Sequence, residues 1–506
     1  MKWNALLSGL ICIGFSLGWG TAFAGTPQAV EGPPRDLDLL TRELTNKDAG
    51  KRRRAVRDLA QIGGRKAWPL VIEALADPKG EVADEAQFCL AGLDEPKLMR
   101  SLYGKQGLGS RDALLQARVA EALGRFDSPL DAQQLLKRVS RPNPGTSEML
   151  LWSIERLARR GKLAGDLAKC GRGLKKLAQG SGSVSVRCQA LCALLAVDED
   201  CAREVLTQML GDRVAQVRRT ALNGLVRLDP HVALEVGARL RADESPCVRL
   251  AALNAIGLGR NKRSLLLLAE RLELEDRYRL RVACVEELQQ LSGRKHKLNP
   301  VHWQRWIESL PEDWMASTHA ENLAEVGGTV SFAGLPVLSD RVCFLIDFSG
   351  SLWYEREGRP ARKGKVDELV RASLPRLSAE TEFNLIPYTG EPHPWRESLV
   401  EATPRNVRAA ISDFEENTVR GSGNVFDAVL LALEDEATDR IVILTDGAPT
   451  GGARWKLDLM VPLLQQATRF NGVAIDAIVI DARPGLQKHW FRLAQSTGGR
   501  GVALDL

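Results

Sequence analysis

Residues 341–351 read Arg-Val-Cys-Phe-Leu-Ile-Asp-Phe-Ser-Gly-Ser, and this stretch decides the fold. Every side chain from Val342 to Ile346 is apolar, and both end residues are β-branched. That is the pattern of a strand covered on both faces. The run stops at Asp347, and the hydroxyls of Ser349 and Ser351 follow at alternate positions. The carboxyl end of such a strand opens into the crevice where doubly wound sheets hold ligands. One carboxylate and two hydroxyls are hard oxygen donors, suited to Mg²⁺ or Mn²⁺. The competing reading is local: the three side chains only tie down the turn by capping it.

Helical and strand patterns alternate downstream. Helices are expected over 366–377, 405–414, 425–433, 455–470 and 486–496, with strands at 382–388, 441–444, 473–480 and 501–504. Such alternation predicts a parallel sheet with right-handed crossovers and helices on both faces. A loop reads Gly421-Ser422-Gly423-Asn424 with Asp427-Ala428 after it, and the run from Ile441 ends in Thr445-Asp446-Gly447. With the Asp-x-Ser-x-Ser stretch, these elements resemble the von Willebrand factor A (VWA) family over residues 341–506. The resemblance implies a Rossmann-like α/β doubly wound domain with a metal-ion-dependent adhesion site. It implies Asp347, Ser349 and Ser351 as metal ligands and Asp446 as the second carboxylate. Where the family carries a threonine ligand, this chain has Gly423, and Ser422 is the candidate substitute. Water can replace one neutral ligand, so weakened Mg²⁺ or Mn²⁺ binding is expected. In the family the metal's open position takes an Asp or Glu from another protein.

Residues 36–291 carry a repeat. Val186-Arg187, Val217-Arg218 and Val248-Arg249 follow one another at a step of 31. Ala190, Ala221, Ala252 and Ala283 keep that step, as do Ala55, Ala86 and Ala117. Between Ala117 and Ala190 lie two periods plus an insertion, placed at Arg141–Gly145. A unit of this length with small residues on one helix is a stacked helix pair. It resembles HEAT-like repeats, which implies an α-solenoid of seven or eight units. The recurring arginines are expected to bond turn aspartates such as Asp212 and Asp243; a basic ladder for an acidic partner is the rival. In 292–340, Trp303 and Trp306 make one aromatic face, expected to cap the solenoid or to offer a stacking platform. His296 and His302 beside them are expected to be solvated. The connector that follows holds one expected strand, Thr329–Phe332.

The amino terminus reads as an address. Lys2 precedes an apolar run ending in Ala22-Phe23-Ala24, so residues 1–24 are expected to be a signal peptide. An uncleaved anchor is the alternative, since about 20 apolar residues span a bilayer. Residues 25–35 are a Pro/Gly-rich lead-in, and no second hydrophobic span follows. Cys89, Cys188, Cys192, Cys247, Cys284 and Cys343 fall at apolar positions, whereas Cys170 and Cys201 look exposed. A net charge of +5 makes no case for nucleic acid. Residues 356–365, with Arg359, Arg362 and Lys363, form a basic loop expected to be solvated at the site's rim, its rival role being contact with an acidic partner.

These features describe a multidomain exported protein, periplasmic, cell-surface or secreted. Its expected function is protein interaction, adhesion or scaffolding, with the solenoid surface as a second protein-binding site. The main alternative is a metal-independent scaffold. A metal-dependent hydrolase ranks lower because no nucleophile–base pair or phosphate loop is visible, and a HEAT-type lyase because the export signal and the VWA resemblance argue against it.

Overall fold

The computed structural model describes residues 36–505 apart from 92, 94, 140–142, 181, 318–329 and 356–360. The leader, the lead-in and residues 318–329 of the connector lie outside the described residues. Among those described, no helix is long and apolar enough to cross a membrane.

Eight helices stack side by side in one layer: Ala49–Ile62, Gly80–Leu90, Ala113–Leu123, Pro144–Arg159, Val184–Val197, Ala215–Leu228, Pro246–Gly257 and Tyr278–Ser292. The helices between them in sequence form the second layer. The repeated alanines set the spacing, and Ala55, Ala86, Ala190, Ala221 and Ala252 are all buried. Small side chains let neighbouring helices approach, while Val186, Val217, Val248, Leu194 and Leu225 fill the seams. Part of the extra length near residue 141 goes into a parallel bridge between Leu130–Asp131 and Leu163–Ala164. Arg218 forms a two-pronged pair with Asp243 at 2.7 and 2.8 Å. Arg187 reaches Asp212 at 3.2 Å, Arg52 reaches Asp77 at 2.7 Å and Arg249 reaches Glu275 at 2.8 Å. The ladder is thus spent on internal pairs that tie each turn to the preceding helix.

Helix Pro300–Glu308 closes the stack. Trp303 is fully buried against Leu288, Leu291 and Ile307, and its indole N–H donates to the Lys297 carbonyl at 2.9 Å. Trp306 is half-buried, edge-on to both Trp303 and Trp314. His302 is exposed, but His296 is half-buried against the Trp303 ring. In the connector the strand is shorter than expected: Ser331–Phe332 pairs with Leu335–Pro336 as a small hairpin.

The carboxyl-terminal half is a six-stranded sheet. Its strands are β1 (Arg341–Asp347), β2 (Glu382–Tyr388), β3 (Val400–Glu401), β4 (Arg440–Thr445), β5 (Ala474–Ile480) and β6 (Gly501–Leu504). Their order is β3-β2-β1-β4-β5-β6, parallel throughout except for the edge strand β3. Side chains alternate between faces. Phe344 and Ile346 meet helices Lys363–Ser373 and Pro404–Glu416, while Cys343 and Leu345 meet helices Val425–Ala432, Leu457–Arg469 and Pro484–Ser496.

The solenoid layer that carries the Val-Arg repeats is not free. The α/β domain is seated on it. Asp84, Glu85, Glu121 and Glu155 are all buried: Arg454 pairs with Asp84 and Glu121, Lys456 with Glu85 and Arg469 with Glu155. At the far end Arg277 reaches Asp439 at 3.1 Å and Arg500 reaches Glu286 at 2.6 Å. Phe470 inserts into the solenoid core. One face of the solenoid, whose surface is expected to bind a second protein, is therefore covered by the chain's own α/β domain. The cysteines need a smaller correction. Cys170 is buried, sharing the inward stripe of its helix with Leu174 and Ala178, while Cys89, Cys201 and Cys247 are half-buried. All eight described cysteines are unpaired.

Removing Arg218 strands the Asp243 carboxylate in a site where both side chains are 8% exposed. Arg218→Ala is expected to cost about 3 kcal/mol in chemical denaturation. Arg203→Ala, whose pair with Asp229 is half-exposed, should cost under about 1 kcal/mol.

Candidate metal centre

The strands run β1-β2-β3 in one direction and β4-β5-β6 in the other, so the order reverses between β1 and β4. Asp347 ends β1 and Asp446 follows β4, which puts both carboxylates at this switch point, where open α/β sheets bind ligands. Asp347 is 2% exposed. The Ser349 amide donates to its Oδ1 at 2.7 Å, and the Thr445 hydroxyl to its Oδ2 at 3.1 Å. The Ser349 and Ser351 hydroxyls lie 2.9 Å apart. Burial, and then the nearby Asp446 charge, push the Asp347 carboxyl up to about 6 against the pull of Ser349 and Thr445. Burial and the Asp347 charge likewise push the Tyr388 phenol up.

The 421–424 loop closes the other side. The Gly350 amide donates to the Gly421 carbonyl at 2.9 Å. A Cβ on Gly423 would stand 3.5 Å from Asp347 Oδ1 and 3.5 Å from the Ser349 Cβ, ordinary contact distances. Position 423 therefore faces the carboxylate but brings no donor. The Ser422 hydroxyl lies against the backbone of Gly451 and Gly390. The structure brings Asp347, Ser349, Ser351 and Asp446 together and directs Ser422 to the neighbouring loop.

The basic segment departs from expectation at its described end. Arg362 turns inward, reaching Asp446 at 3.2 Å through Nη1 and Asp481 at 2.8 Å through Nε. Asp481, just past β5, adopts a left-handed backbone with φ of 44°. Lys363 is buried over the rings of Phe348, Trp353 and Phe414 and pairs with Asp367. Arg359 lies outside the described residues. Sequence reasoning read Arg362 as part of a solvated rim and gave no site role to Thr445, Thr450 or Asp481. Only the two residues flanking strand ends, Thr445 and Asp481, carried a local signal, because strand ends are where such a site gathers side chains.

The switch-point aspartates, the paired serine hydroxyls and the strand order define a VWA domain, here preceded by HEAT-like helical repeats. Among curated proteins, inter-alpha-trypsin inhibitor heavy chain 4 of Mus musculus is 35% identical over 130 residues, 23% of this chain and 13% of the relative. The von Willebrand factor A domain-containing protein 3B of Homo sapiens is 26% identical over 166 residues, 32% of this chain and 12% of the relative. The chain thus spans about an eighth of the length of these relatives. Among solved structures, a von Willebrand factor type A protein from Catenulispora acidiphila aligns with 34% of this chain and 40% of its own, at 19% identity and a TM-score of 0.28. Importin beta aligns with 51% of this chain and 42% of its own, at 12% identity and a TM-score of 0.34. No protein-family model matches the chain.

Because the folded chain holds the Asp347 proton more tightly than an unfolded one, the contribution of this group to the stability of the metal-free protein is fully present below pH about 4. It should fall as pH rises from about 4 to about 6 and stay level above. Asp347→Asn is expected to remove that slope from denaturation midpoints measured across the range in EDTA.

Proposed function

We propose that this chain is an exported interaction protein, periplasmic, cell-surface or secreted, whose VWA domain binds a partner's Asp or Glu through Mg²⁺ or Mn²⁺. It would divide into a leader (1–24), a lead-in (25–35), a solenoid (36–291), a cap and connector (292–340) and the VWA domain (341–506). One observation carries the metal: Asp347 is buried beside Asp446 with only neutral donors of its own, a charge pair that calls for a cation. The surrounding hydroxyls are hard donors and fit a small dication. Asp347, Ser349 and Ser351 would hold it and Asp446 would add the second charge, with no role for Ser422 while its hydroxyl faces Gly451. The bound metal supplies a positive open position for a partner carboxylate. Its desolvated setting favours such a contact over water.

A second reading has an observation of its own. Arg362 already pairs with Asp446 and Asp481, so the site could serve as a metal-independent scaffold edge. In the metal reading Arg362 is a competing cation, and the two readings predict opposite results.

Calorimetric titration of Mg²⁺ and Mn²⁺ into the full chain separates them. Saturable binding that is lost in Asp347→Ala supports the metal. Arg362→Ala should then tighten binding about tenfold, equivalent to about 1.4 kcal/mol of removed competition. Gly423→Thr should also tighten it, since a side chain there meets the site at ordinary distances. No binding at millimolar metal, with partner capture unaffected by EDTA, establishes the scaffold reading instead.

A further inference from the structure

The segment between Asp446 and helix Leu457–Arg469 is held at both ends. On the solenoid side, the buried Asp84 carboxylate accepts from the Trp455 amide at 2.7 Å and the Lys456 amide at 3.0 Å. Arg118 spans the same junction, donating to Asp84 at 2.7 Å and to the Ala453 carbonyl at 2.6 Å. Arg454 reaches Glu121 at 2.7 Å. A Cβ on Gly80 would run into the Gly452 carbonyl, so the two backbones are in direct contact. On the site side, the Gly423 amide donates to the Thr450 hydroxyl at 2.8 Å, and the Thr450 amide returns to the Gly423 carbonyl at 3.1 Å. The Asn424 side chain fills the space beside Gly452, which adopts φ of 74°. Asn424 in turn caps helix Val425–Ala432 by accepting from the Asp427 amide. One path of hydrogen bonds joined by the short backbone run from Thr450 to Ala453 therefore leads from the solenoid to the residue that faces Asp347.

We propose that the solenoid sets the conformation of the metal-site loop, with Asp84 as the positioning residue that passes domain docking to Gly423 through Thr450. A carboxylate with no solvent access keeps its partners in place, because losing them leaves a charge without water or a donor. Residues 453–456 are thereby fixed in register, and Thr450 holds Gly423 at its distance from Asp347. If the solenoid end lets go, 447–456 is free to shift and the 421–424 loop loses its clamp. Undocking then weakens cation binding and cation binding favours docking, to the same extent, by linkage. The cation half of this statement rests on the metal reading above; the loop half does not.

Hydrogen exchange on the full chain, compared with parallel Mg²⁺ titration, tests both halves. In Asp84→Ala and in Thr450→Val the Gly423 amide should exchange at least about tenfold faster, while Ile441–Leu444 keeps its protection. Glu286→Gln, which loosens the far end of the interface, should leave the Gly423 amide unchanged. Arg454→Gln attacks the same cluster from the α/β side and replaces Asp84→Ala if that variant does not fold. Mg²⁺ affinity should drop about tenfold in the variants that free the loop. Wild-type exchange at Gly423 in Asp84→Ala or Arg454→Gln, with the sheet intact, overturns the proposal. Faster exchange with no Mg²⁺ binding even in the wild type keeps the coupling and discards the metal.

Discussion

Asp84 is a carboxylate with no solvent exposure, and the two halves of the molecule meet around it. Such a charge is costly to bury alone, so its location demands donors. It finds one guanidinium in its own solenoid, Arg118, and two backbone amides in the α/β domain. Glu121 repeats the arrangement. Burial alone would raise its carboxyl, but Arg454, Arg125 and Arg118 outweigh that and hold it below the usual range. Glu155 does so again: burial opposes ionisation, yet Arg469 and Arg159 bring it down to about 2. An interface assembled from directed bonds to buried charges has fewer equivalent registers than an apolar one. Helix Leu457–Arg469 and the segment leading into it carry most of these contacts, from Arg454 and Lys456 ahead of the helix to Gln466 and Arg469 near its end.

That arrangement changes what the solenoid can offer a partner. The helix layer with the Val-Arg repeats faces the chain's own α/β domain, and its arginines are consumed by turn carboxylates. The surfaces left for other proteins are the second helix layer and the carboxyl edge of the sheet. The carboxyl edge gathers unlike chemistry in one place: Asp347, Asp446 and Asp481, two serine hydroxyls and one guanidinium.

Much of this was legible in the chain, wherever the cause is local. β1 announces itself by five apolar residues ending in aspartate, and the helix–strand alternation follows the change between periods of 2 and 3.6. The solenoid is written in its 31-residue step, and the resemblance to helical repeats already pointed its arginines at turn aspartates such as Asp212 and Asp243. Long-range causes were not legible. Arg362 lies in a run of Arg, Lys and Gly that reads as a solvated loop; its inward turn depends on Asp446 and Asp481, brought beside it by β4 and β5. Lys363 reads as charged surface until Phe348, Trp353 and Phe414 converge on it. Asp84 and Trp455 stand 371 residues apart, and no pattern in either neighbourhood refers to the other. Cys170 is different, because its spacing to Leu174 and Ala178 already marked an inward stripe.

The two departures at the switch point pull the same way, yet they do not cancel the site. Gly423 removes a neutral donor, which costs a dication one bond that water can restore. Arg362 removes charge, but it does so at Asp446 and Asp481 and leaves Asp347 with neutral donors. A single positive charge at the far carboxylate offsets the repulsion that raises Asp347 but none of its desolvation, the larger cause. A dication placed among Asp347, Ser349 and Ser351 would answer both, because it supplies two charges next to the buried group itself. The guanidinium and the metal thus act on overlapping but unequal parts of one electrostatic problem. The part left to the metal is the more deeply buried one.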